Sequence, residues 1–117
     1  MQTEDVIAFL EVPFGYPSSM ESGNDLYFNV LPKASWLLEH EERSGVLEAL
    51  RAWFAQRSYP RTWLATELAG ALGLRELRPE LLALRADIAA GKAFDVHELP
   101  GVDRALSGLE TAARGPD

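Results

Sequence analysis

The sequence predicts an all-α fold, built from antiparallel helical hairpins with about five to six helices. Apolar residues recur at helical spacing through the stretches 45–57, 60–72 and 79–88. Prolines and glycines fall where helices start and stop, at Pro60, Gly73, Pro79 and Gly91. No segment alternates apolar and polar residues over the length of a strand.

Taken in order, Thr3 is placed to cap a first helix, with Glu4 and Asp5 suited to its dipole and Val6, Ile7, Phe9 and Leu10 behind them. A short strand over residues 6–12 competes, because the run is short and rich in strand formers. "VPFGYPSSMESGN", residues 12–24, reads as a long loop, and loops of that length are often functional. Residues 26–31 form a brief apolar segment that Pro32 closes; helix is favoured over strand, with Asn24 or Asp25 at its start. A second short helix then runs from Pro32 through "KASWLLEHEER".

Ser44 is placed to cap the next helix, whose apolar face is Val46, Leu47, Leu50, Trp53 and Phe54. Tyr59-Pro60 turns the chain into a helix over 60–72, with Leu64, Leu68, Ala71 and Leu72 on one face and Ala65 and Ala69 small enough for close approach. Gly73 ends it in a left-handed cap. A further helix from about Pro79 buries Leu81, Leu84 and Ile88 and stops at Gly91-Lys92. A last short helix packs through Val102, Leu106 and Leu109 before "RGPD".

The chain has 117 residues, enough for one domain with a core of its own. Within that single domain, 1–43 is a helical part holding the long loop, 44–92 the helical centre, and 93–117 a short helix and tail. A hydrophobic content of 47% against 25% charged is that of a folded protein. The absence of cysteine excludes disulfides, thiolate zinc sites and cysteine catalysis. Glu4 and Asp5 stand where a signal peptide needs basic residues, and the following apolar run is too short to span a membrane. A soluble, cytoplasmic protein is expected.

The formal net charge is −7. Acidic residues outnumber basic ones nine to four over residues 1–60 and nine to seven over 61–117, so the excess sits mainly in the first half. Such a field repels phosphate backbones and draws basic partners, although mild acidity also serves solubility alone.

"ELAGALGLRELRPELLAL", residues 67–84, admits two readings. In a DNA-reading helix-turn-helix the second helix starts two or three residues past the glycine, and Pro79, six past Gly73, comes too late for that. Glu76 and Glu80 also dilute Arg75 and Arg78 on the would-be reading face. The stretch instead resembles HEAT-like α-repeats through Ala69, Ala71, Leu72, Gly73, Pro79, Leu81 and Leu84. That resemblance covers about half the chain and implies a compact HEAT-like stack or bundle, with the hairpin of 45–57 and 60–72 at its centre. The chain departs from the family in offering about one and a half clear units, where stacks usually need three.

Catalytic chemistry finds little support. His40 lies among Glu39, Glu41 and Glu42, yet at three- and four-residue offsets it meets Trp36, Leu37, Arg43 and Ser44, which do not make a metal site. His97 has Asp95 and Glu98 near it and no second histidine. Glu80 and Asp87 share a helical face in the ordinary manner of solvated carboxylates. Phosphate loops, nucleophile elbows and metalloprotease signatures are missing. We expect no enzyme, no catalytic residue, no cofactor and no metal. Core packing is the default for Trp53 and Trp63; for Trp36, which precedes the acidic run, core is favoured over the edge of an interface.

The function read from this is protein binding. The chain resembles bacterial immunity proteins in size and charge, which implies a toxin domain, often a basic nuclease, as the partner. The expected contact residues are Trp36, Glu39, Glu41 and Glu42 with Phe14, Tyr16 and Asp25 of the long loop. Neither nucleic acid nor membrane is expected as a partner. An adaptor or subunit of a larger assembly is the alternative, and a divergent transcription regulator a more remote one.

Overall fold

The computed structural model describes residues 2–12 and 23–114, and side chains within them except those of 23–25 and 111–114. The protein is all-α: α1 (Thr3–Glu11), α2 (Gly23–Glu39), α3 (Arg43–Gln56), α4 (Arg61–Ala71), α5 (Arg78–Ala89) and α6 (Leu99–Arg114). Single 3-10 turns at Arg75–Leu77 and Val96–Glu98 lead into α5 and α6. Among the described residues there is no strand, so residues 6–11 and 26–31 are helical. Backbone contacts divide the chain into two units, Met1–Leu50 and Arg51–Asp117, with the boundary inside α3.

In the first unit, α1 buries Val6 and Leu10 and leaves Ile7 and Phe9 half-exposed. Thr3 is its first helical residue rather than its cap. The Gln2 carbonyl accepts from Asp5 and Val6 instead, so the backbone starts the helix without a side-chain cap. α2 is one helix of 17 residues, not two short ones broken at Pro32. A proline inside a helix removes the bond to the carbonyl four residues back, here that of Phe28. Phe28 and Pro32 both face solvent, so water can take the orphaned carbonyl. The opposite face, Leu26, Val30, Ala34 and Leu37, is fully or almost fully buried and holds the helix in place.

α2 ends in a Schellman motif: Glu42 N–H donates to the Leu37 carbonyl (2.9 Å) and Glu41 N–H to that of Leu38 (3.4 Å). The motif needs a left-handed residue, and Glu41 supplies it at φ 61° although it is not glycine. α3 begins at Arg43, with Val46 N–H donating to the Glu42 carbonyl (3.0 Å), so Ser44 is inside the helix and does not cap it. Early in α3, Gly45 faces Val6 of α1 so closely that a Cβ would lie 2.8 Å from Val6 Cγ2.

In the second unit the buried set is Trp53, Phe54, Leu64, Leu68, Leu74, Leu77, Leu81, Leu84, Ile88, Val102 and Leu109, with small Ala65, Ala69 and Ala105 among them. Burying one such leucine or phenylalanine contributes roughly 1.5–3 kcal/mol. α4 ends as the sequence expects, with Gly73 at φ 62° and Leu74 N–H donating to the Ala69 carbonyl (3.0 Å). α5 starts one residue before Pro79 and ends at Ala89, and the chain turns at Gly91, φ 74°, where Lys92 N–H donates to the Asp87 carbonyl (2.8 Å).

α4 packs closely on α6. A Cβ on Gly70 would lie 2.8 Å from Ala105 Cα, and one on Gly108 would lie 2.7 Å from the Gly70 carbonyl oxygen. Two helices in backbone contact need glycine at the crossing; Ala65 and Ala69 of α4 are fully buried as well. α6 is accordingly longer than a short terminal helix and buries Val102, Ala105 and Leu109, leaving Leu106 half-exposed.

Candidate functional site

Among the described residues of the first unit, the exposed large apolar side chains are Val12, just past the end of α1, and Phe28 and Trp36, which fall on one stripe of α2. Phe28, Pro32, Trp36 and His40 follow one another at four-residue spacing, and residues so spaced share a helix face. Phe28 is 70% exposed and Trp36 45%. Trp36 is thus not a core residue, contrary to the expectation for it. Burial of Val30, Ala34 and Leu37 commits the other side of α2 to the core, which turns the 28–32–36 side outward.

Trp36 is held in a stack. The His40 imidazole lies over its indole with centroids 3.9 Å apart and planes 21° from parallel. His40 Nδ1–H donates to the Trp36 carbonyl at 2.8 Å, which fixes the tautomer because a carbonyl can only accept. The Phe9 ring of α1 is 5.8 Å from Trp36, and Lys33 Nζ sits 4.4 Å over the Phe9 ring. The resulting row, Lys33–Phe9–Trp36–His40, joins α1 to α2 and fixes the orientation of the indole before any partner arrives.

Glu39 and Glu41 are exposed, and Glu42, the residue before α3, is half-buried. Asp25 lies in the first turn of α2, with its side chain outside the description. Phe14 and Tyr16 lie outside the described residues. Residues 1–50 contain nine acidic residues and two basic ones, whereas 51–117 contain nine of each. The formal charge of −7 thus belongs to the first unit, and the second is balanced.

Sequence reasoning missed Phe28, Pro32 and the stack on His40. The signal was available: α2 carries two apolar stripes, 26–30–34–37 and 28–32–36–40, and a helix needs only one to reach its core. Breaking the helix at Pro32 concealed the second stripe. The indole stack likewise followed from the four-residue offset of Trp36 and His40.

The second unit holds a small half-open cleft with room for about 40 Å³, open on one side to solvent. It is lined by Tyr59 and Trp63, whose ring centroids are 6.1 Å apart, by Phe94, Glu98 and Gly101, and by apolar Leu84, Ile88 and Val102. Trp63 is half-buried here, so it is a core residue only in part. Glu67 also lines the cleft, with Arg104 Nη2 3.9 Å from Oε1. Burial pushes the Glu67 carboxyl above its ordinary value, Arg104 opposes this, and Glu98 adds to it.

Elsewhere the second unit uses its charges in pairs. Glu80 receives Arg51 Nε at 3.0 Å and Asp87 receives Arg57 Nε at 3.0 Å, so the two carboxylates seven residues apart tie α5 to α3 and its end. His97 sits against Asp95, whose carboxylate accepts its backbone N–H at 3.0 Å. Among the described residues no group of three or more His, Asp or Glu side chains is arranged to hold a metal ion. No helix there is long and apolar enough to cross a membrane. No protein-family model, no curated protein and no solved structure matches the chain.

Proposed function

We propose that this protein is a binding module for a basic protein partner, engaged through the α2 stripe of Phe28, Pro32 and Trp36 and the carboxylates of Glu39 and Glu41. The supporting observation is that these exposed aromatic side chains lie in the unit that carries the whole net charge. A fixed aromatic anchor inside a charged rim combines the two parts of a protein interface: desolvated contact for affinity, and complementary field for capture rate and partner choice. Long-range attraction of this sign favours a partner rich in Arg and Lys.

Within that class, the reading that suits the size and acidity of the chain is neutralisation of a basic toxin or nuclease domain, the role of an immunity protein. Its helices would form a HEAT-like scaffold that presents the stripe, without catalysis of their own.

Binding of a purified partner tests the interface. The partner is obtained by affinity capture on the intact chain and identification, then titrated against the wild type, F28S/W36A and E39K/E41K/E42K. The aromatic pair is expected to weaken binding by tenfold or more through dissociation, and the charge reversal to weaken it through association, with the loss shrinking at high salt. A partner that binds all three alike would overturn the proposal. For the immunity role, co-expression should protect cells from the partner's toxicity, and protection should be lost in the same variants.

A further inference from the structure

We propose that the cleft of the second unit is a receptor for one cationic side chain, lysine or arginine, of a protein partner, with the rings of Tyr59 and Trp63 flanking it and Glu67 and Glu98 receiving its charge. This site is separate from the α2 stripe and its test does not depend on that surface.

The cleft offers the two kinds of contact such a side chain needs. Its apolar lining, Leu84, Ile88 and Val102, suits an aliphatic stem. Tyr59 and Trp63 stand 6.1 Å apart with planes inclined at 44°, an open corner whose ring faces attract a cation. Tyr59 is 62% exposed, so the corner can be reached from solvent.

Charge then selects the occupant. Glu67 and Glu98 both line the cleft, and burial disfavours the ionised form of Glu67. Arg104 offsets this only in part, because its side chain is three-quarters exposed and its nearest nitrogen is 3.9 Å from the carboxylate. An entering cation would offset, by its charge, both the desolvation of Glu67 and its repulsion by Glu98. An anion would meet two carboxylates. A neutral apolar group would strip water from Glu67 and return nothing for it.

The experiment uses the full chain and blocked amino acids as probes: N-acetyl methylamides of lysine, arginine and norleucine, followed by amide chemical shifts in NMR. Saturable shifts centred on Trp63, Glu67, Phe94 and Gly101 are expected for a cationic probe, with norleucine weaker by about fivefold or more. E67Q keeps the shape of the side chain and should weaken the cation by a similar factor while leaving norleucine unchanged or tighter. E98Q, at an exposed position, provides the same comparison should E67Q perturb folding. Absence of saturable shifts at about 50 mM probe, equal binding of norleucine, or cation binding unaffected in both variants would overturn the proposal. Any of these results leaves the α2 stripe untouched, and loss of partner binding through that stripe would leave the cleft untouched.

Discussion

The hydroxyl of Thr62, on the first turn of α4, donates to the carbonyl of Trp53, in the last turn of α3, at 2.7 Å. The same oxygen accepts from the Ser58 N–H at 2.9 Å, and Thr62 is fully buried. Carbonyls in the last turn of a helix have no partner within it, and α3 finds substitutes in side chains. Thr62 serves Trp53, while the Arg57 guanidinium donates to the Phe54 carbonyl at 2.8 Å. A threonine in the middle of an apolar face is therefore the fastening of the α3–α4 turn. Replacing it by valine preserves shape and takes this partner from one half-buried donor, the Ser58 N–H, and one buried acceptor, the Trp53 carbonyl. T62V should lose about 2–4 kcal/mol, and T62S, which keeps the hydroxyl, much less. Urea unfolding of the two variants checks this; equal losses would point to packing instead of hydrogen bonding.

At the crossing of α4 and α6 two physical rules disagree. Helix propensity favours alanine over glycine by roughly 0.5–1 kcal/mol in a helix interior. At Gly70 and Gly108, however, the new methyl would lie within 3 Å of backbone atoms that no side-chain rotation can move aside. Close contact prevails, and G70A and G108A should each destabilise by about 1–3 kcal/mol. Gly101 is the internal control. A Cβ there meets only the ends of Arg104 and Glu67, at 3.6 and 3.8 Å, so G101A should be neutral or stabilising. Melting temperatures of the three variants give the comparison directly.

The all-α class was legible because it rests on local signals. Gly73 and Gly91 stop their helices as capping geometry requires, and Leu81, Leu84 and Ile88 face inward as their spacing demands. Pairings between distant segments were less legible. Nothing in the local pattern marks Gly70 and Gly108 as partners, or assigns Glu80 to Arg51, because such contacts depend on where helices meet. Of the candidate site, Trp36 and its acidic neighbours were singled out from sequence, while Phe28 was lost to the treatment of Pro32 as a breaker.

That proline gives a prediction of its own. Proline costs about 3 kcal/mol in a helix interior, partly recovered through a less flexible unfolded chain. Pro32 is exposed, so its ring adds little packing in return. P32A restores the N–H and should stabilise the first unit by roughly 1–3 kcal/mol, read as a higher urea midpoint. A neutral result would mean that α2 bends or hydrates at Phe28 at almost no cost.

Glu41 is strained for a structural reason that can be removed. It holds φ 61° in the Schellman motif that closes α2, a conformation that costs a side-chain-bearing residue roughly 1–2 kcal/mol. E41G meets the same motif without a Cβ and should gain about 0.5–1 kcal/mol after the added freedom of the unfolded chain is set against it. E39G, two residues earlier and the last helical residue of α2, should instead lose about 0.5 kcal/mol. Since both variants remove one negative charge, opposite signs would assign the effect to backbone conformation and equal signs to electrostatics.

Glu67 and Asp95 couple stability to pH in opposite directions. Burial, the principal cause, raises the Glu67 carboxyl above its ordinary 4.5, with Arg104 acting against it and Glu98 with it. The folded chain then holds that proton more tightly than the unfolded chain does, so ionisation of Glu67 opposes folding. The penalty is complete above the raised value and vanishes as pH falls below about 4.5. Asp95 is lowered below 3.8, first by the backbone N–H of His97 and then by its ring, so its contribution is present above 3.8 and fades as pH drops through the lowered value. E67Q removes the first effect alone. Relative to the wild type it should be more stable at pH 7, with the difference closing as pH falls towards 4.5. Urea midpoints measured across that interval decide the matter: a difference that stays constant with pH would assign the gain to packing of the amide, and a difference that widens in acid would contradict a raised carboxyl.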